Sequence, residues 1–146
     1  MGCGGDNCPA NFSEIGMYEF AVDATDYQAP QIIDTKLVES YAGKDWYIPG
    51  TIVGGWNHDV ANLMAFSQDD GLVSIESAEL TAGTTYEFKF TCGDWGQCEH
   101  GASAVTVAEG SLPIGGDNNI TFTAPADGRY VINFDFLQKT VSIEAL

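Results

Sequence analysis

Basic residues are scarce in this 146-residue chain: five lysines and arginines stand against 21 aspartates and glutamates, a formal charge of −16. A grip on nucleic acid or anionic lipid needs clustered Lys and Arg. Lys36, Lys44, Lys89, Arg129 and Lys139 are scattered singly, so neither partner is expected. The excess acid suits a protein kept soluble and monodisperse outside the cell. Calcium is a sharper use for so many carboxylates, but no EF-hand-like run of ligands occurs. The expectation is therefore no cofactor, with calcium as the lesser alternative. There are only two histidines, His58 and His100, both in Gly/Asp-rich stretches. They read as exposed loop residues, with no spacing that makes them metal ligands. No Gly-x-Ser-x-Gly elbow exists, and scattered acids imitate a glycosidase carboxylate pair by chance. Gly115-Gly116-Asp117-Asn118 has no following Lys or helix and reads as a turn, not a phosphate loop. With no nucleophile, acid/base pair or open metal site in view, the chain is expected not to be an enzyme.

Long apolar runs are also missing, and none approaches the roughly 20 residues of a membrane-spanning helix. Met1-Gly2-Cys3 leads straight into polar sequence, without the pattern of a signal peptide. The four cysteines form two close pairs, Cys3/Cys8 and Cys92/Cys98, whose spacings suit zinc poorly. Local disulfides in an oxidising compartment fit better. Gly2-Cys3-Gly4-Gly5 also resembles the mature end of a bacterial lipoprotein, which makes a lipid anchor on Cys3 the rival to a Cys3–Cys8 bridge. Both readings place the protein outside the cytoplasm.

What the chain does have is strand pattern. Tyr86-Glu87-Phe88-Lys89-Phe90 alternates aromatic with charged residues. Residues 129–136 repeat the alternation, with Tyr130, Ile132, Phe134 and Phe136 on one side. Residues 140–145 point Val141 and Ile143 inward, and Leu137-Gln138-Lys139 makes a hairpin loop between the two. Residues 119–123 form a further strand, closed by the turn Ala124-Pro125-Ala126-Asp127-Gly128. Strands are also expected over 46–53, 72–76 and 103–107, and one short helical turn within 59–66 with Val60, Leu63 and Met64 on one face. Short strands every 10–15 residues or so, divided by Gly, Asp, Asn and Pro, specify an all-β antiparallel sandwich. Residues 1–43 differ in character. Strands at 17–22 and 31–38 flank a polar connection, and this extension could be part of the sandwich, a linker or stem, or a strand donated to a neighbouring subunit.

Three tryptophans lie next to loops: Trp46 at a strand start, Trp56 in Gly54-Gly55-Trp56-Asn57, and Trp95 between Cys92 and Cys98. Glycines beside Trp56 and Trp95 let the backbone bend and leave a ring face open. An apolar sugar face lies on such a ring, while its hydroxyls find Asn, Asp, Gln or Lys groups such as Asn57, Asp94 and Lys89. A Cys92–Cys98 bridge would hold Trp95 before binding and lower the entropy lost. Against this, loop tryptophans also plug the ends of sandwiches.

The run Trp46-Tyr47-Ile48-Pro49-Gly50-Thr51-Ile52-Val53-Gly54-Gly55-Trp56-Asn57 resembles the opening of SusE/SusF-type outer-membrane starch-binding modules. Leu80-Thr81-Ala82-Gly83, then Glu87-Phe88-Lys89-Phe90, Gly93-Asp94-Trp95-Gly96, Gly115 to Ile120, Gly128 to Ile132 and Thr140 to Ile143 follow in the order of that family across 44–146. The resemblance implies an immunoglobulin-like sandwich that binds α-glucan at a bacterial cell surface without cleaving it. Trp56 and Trp95 match the aromatic positions of that family, and Lys89 its Phe-Lys-Phe lysine. His100-Gly101 stands where many relatives have Tyr-Gly, and the Cys92/Cys98 pair is unusual. A second expectation is a structural subunit of a surface fibre or adhesin that assembles through residues 1–43. That reading requires buried tryptophans.

Overall fold

The computed structural model describes residues 16–23, 25, 28, 31–40, 44–67, 71–96 and 98–146. The chain divides into two compact units, Met1–Gly43 and Lys44–Leu146. In the first, β1 (Gly16–Asp23) pairs antiparallel with β2 (Gln31–Ser40), with register shifts at Met17/Tyr18 and Ala21/Val22. Both expected N-terminal strands are therefore present, and they are each other's partners. Cys3 and Cys8, with the disulfide and lipid readings attached to them, lie outside the described residues.

The second unit is a sandwich of two sheets. The larger has the order β3 (Ala65–Ser67), β4 (Leu72–Glu76), β9 (Tyr130–Asp135), β10 (Thr140–Ala145), β6 (Thr106–Val107). The smaller has the order β5 (Thr85–Phe88), β8 (Ile120–Thr123), β7 (Gly115–Gly116). Period-2 alternation decides which residues meet between them. On β9, Tyr130, Ile132 and Phe134 are buried and Val131, Asn133 and Asp135 are not. Val141 and Ile143 of β10 and Ile120 and Phe122 of β8 join the core. Ring pairs connect the sheets: Phe90 stacks on Phe134 with centroids 4.1 Å apart, and Phe122 meets Tyr130 edge-on at 5.2 Å. At the start of β9 the Tyr130 hydroxyl donates to the Ala126 carbonyl at 2.7 Å and accepts from the Ala126 amide at 3.2 Å. This tyrosine corner pins the 124–128 turn to the strand it precedes.

Several expected elements take a different form. The 46–53 segment is not one strand. Tyr47 and Gly50 make single bridges to Thr91 and Phe88, and Thr51–Val53 is a 3-10 turn. Pro49 has no N–H to continue a ladder, while its carbonyl accepts from Lys89 at 3.1 Å. On its other side the segment meets residues 62–64, through Ile48 N–H to Asn62 and Met64 N–H to Trp46. It thereby joins the approach to β3 with the chain just after β5. Residues 103–107 reduce to a 3-10 turn at Ala102–Ala104 and the two-residue β6. β6 pairs parallel with β10, a departure from a wholly antiparallel sandwich, because the chain has crossed over from the other sheet. The helical turn expected within 59–66 is the 3-10 turn Val60–Asn62, with β3 close behind. Among the described residues there is no α-helix, hence none long and apolar enough to cross a membrane.

Candidate functional site

Trp56 occupies a loop that is closed from behind. Gly50 and Gly55 exchange both backbone hydrogen bonds, at 2.8 and 2.9 Å. Gly54 turns the chain at φ 101°, in the left-handed region that glycine tolerates. Asn62, only 2% exposed, directs its amide nitrogen at the Gly55 carbonyl (2.9 Å), the Asn57 carbonyl (2.8 Å) and Asn57 Oδ1 (2.7 Å). One buried amide therefore ties down the residues on both sides of Trp56. With its carbonyl oxygen engaged, exposed Asn57 offers its amide N–H groups to another partner.

Trp95 lies at the tip of the second loop. The Cys92–Cys98 disulfide is formed and closes the loop. Gly93 at φ 138° and Gly96 at φ 79° take the bends. Asp94 Oδ1 accepts from the Trp95 amide at 2.7 Å, and Glu99 Oε1 accepts from the Gly96 amide at 2.8 Å. That amide chiefly holds the Glu99 carboxyl below its ordinary range; burial opposes it, and the nearby Lys89 ammonium adds a lesser lowering. Lys89 Nζ lies 3.6 Å from Glu99 Oε2 and donates to Asn118 Oδ1 at 3.1 Å.

The two loops bring four rings together. Trp56 and Trp95 have centroids 6.3 Å apart and planes inclined at 33°. His58 meets Trp95 nearly perpendicularly at 4.8 Å, and Tyr47 meets His58 at 5.5 Å and 70°. His58 Nε2 is 2.9 Å from the Thr91 hydroxyl. Trp56 is 38% and Trp95 46% exposed, so both indoles present surface to solvent.

Of the residues singled out from the sequence, Trp56, Asn57, Asp94, Trp95 and Lys89 fall on these two loops and their rim. Trp46 does not. It is 1% exposed, stacked on Phe136 at 5.1 Å and edge-on to Phe134 at 5.3 Å, and has no ring face to offer a ligand. His100, expected to be an exposed loop residue, is 4% exposed. Its Nδ1 lies 2.6 Å from the Cys98 carbonyl and its ring packs against Trp46 and Phe134. The correction comes from backbone pairing: His100 and Phe90 exchange both hydrogen bonds, which draws the loop end into the sandwich. Tyr47, His58, Asn62, Glu99 and Asn118 escaped the reading from sequence. They come from separate segments, and no local spacing signals that they meet. Among the described residues no group of three or more His, Cys, Asp or Glu could hold a metal ion.

No family model and no curated protein matches the chain. Chemically, the site offers two inclined apolar rings on loops closed by hydrogen bonds and a disulfide, edged by an amide, two carboxylates and an ammonium group. It has the parts to stack a ring and to exchange hydrogen bonds with its hydroxyls.

Proposed function

We propose that residues 44–146 form a non-catalytic glycan-binding module of immunoglobulin-like type, displayed at a bacterial cell surface, with α-glucan as its ligand. One observation carries this reading: Trp56 and Trp95, from loops 39 residues apart in sequence (95 − 56), present exposed indoles side by side. Apolar surface left in water is unfavourable and is favourably covered by a partner, and a sugar face matches it in shape and chemistry. The tyrosine corner supports the immunoglobulin-like topology. The Cys92–Cys98 bridge supports an oxidising location. The fibre-subunit reading requires buried tryptophans, and the exposure of these two favours the glycan reading over it.

Native electrophoresis through amylopectin gels tests the proposal. The wild type should be retarded. Trp56→Ala and Trp95→Ala should each weaken binding by about tenfold, the worth of one lost stacking face. An unretarded wild type sinks the α-glucan reading, and equal retardation of all three proteins moves the site elsewhere.

A further inference from the structure

We propose that His58 is the positioning residue of this site: it sets the direction of the Trp95 ring and, through it, the angle between the two indoles. The inference rests on the glycan-binding reading and adds a residue that the reading does not itself require.

The Cys92–Cys98 bridge fixes the ends of the Trp95 loop but not the side-chain torsions at its tip. The Trp95 backbone amide is bound by the neighbouring Asp94, and the Gly96 amide by Glu99. Neither contact restrains the indole. Among the described residues the indole has ring contacts with Trp56, itself exposed, at 6.3 Å and with His58 at 4.8 Å and 82°. His58 is anchored differently from either indole. Its Nε2 bonds to Thr91, a fully buried residue. Thr91 and Tyr47 exchange both backbone hydrogen bonds, at 2.9 and 3.0 Å, and the Tyr47 ring also packs on the imidazole, at 5.5 Å and 70°. The imidazole is therefore a wall fixed to the scaffold, and Trp95 rests edge-to-face against it. An aromatic platform held in its bound direction loses less entropy when a ligand arrives.

Two indoles this close couple electronically, so their mutual angle is read by the exciton couplet in far-ultraviolet circular dichroism, with no ligand present. Trp56→Phe and Trp95→Phe should each abolish the couplet, which assigns it to this pair. His58→Ala and His58→Gln should about halve it and weaken amylopectin binding about fivefold, the affinity equivalent of one edge-to-face contact. His58→Phe keeps a ring against Trp95 and Tyr47 but loses the Thr91 bond, so both readings should recover in part, to values between those of His58→Ala and the wild type. A His58→Ala protein with the couplet and affinity of the wild type overturns the proposal. So does a folded His58→Phe protein that recovers neither, since His58 would then serve only the fold. If the wild type fails to bind but its couplet collapses in His58→Ala, the glycan reading falls while the His58–Trp95 arrangement stands.

Discussion

Glu99 illustrates how a single side chain stabilises the Trp95 loop. It accepts the Gly96 amide, and this bond together with Lys89 lowers its carboxyl from the ordinary value. A carboxyl whose pKa is lowered by folding adds stability that is present above its ordinary pKa and is lost as the pH falls through the lowered one. Hydrogen exchange should therefore show the Gly96 amide protected at neutral pH. That protection should disappear only at a pH below the usual glutamate range of about 4.3. Glu99→Ala should show the acid-state protection factor at every pH, and a Gly96 amide equally protected in the variant would remove Glu99 from the loop's support. At the same scale, the three tryptophans show what composition can convey. Trp56 and Trp95 stand among glycines and polar residues and are exposed, whereas Trp46 precedes the apolar Tyr47-Ile48 and is core. Their neighbours hinted at this partition. Nothing local separated His58, which rests on Trp95, from His100, which is buried, because each fate depends on a segment ten or more residues away: Thr91 and Phe90 respectively.

Among the elements, the strands with unbroken alternation were legible: β5, β8, β9 and β10 lie where the pattern places them, because one buried face forces a period of two. Segment 46–50 was legible only in part. Its β-rich residues read as a strand, but Pro49 and Gly50 convert it into a bridge between the approach to β3 and the chain after β5. Gly50 is required there for room, since a Cβ would press into the Glu87 carbonyl and Phe88. Gly50→Ala should accordingly cost about 3 kcal/mol, the upper range for overpacking, measured by denaturant unfolding. It should also loosen the Trp56 loop, whose closing hydrogen bonds begin at Gly50. A variant as stable as the wild type would mean that the segment can move aside without loss.

For the whole molecule, the Lys44–Leu146 unit contains its own two sheets, interlocked rings and disulfide. A chain of about 100 residues with such a core lies within the range of domains that fold alone. Residues 44–146 expressed by themselves should unfold in one cooperative transition and be retarded in amylopectin gels as strongly as the full chain. Size-exclusion chromatography of both forms tests self-assembly through residues 1–43, an idea that fails if both run as monomers. The amino-acid order by itself determined the all-β class, the inward faces of the long strands and the short Cys92–Cys98 bridge, because alternation and a six-residue separation act over short distances. Only the tertiary structure decided that Trp56, Trp95, His58 and Tyr47 share one face while Trp46 and His100 lie inside. The reason is physical: these rings come from segments brought together by backbone pairing between 46–50, 62–64 and 88–100, and the register of that pairing is set by what the closed core can bury.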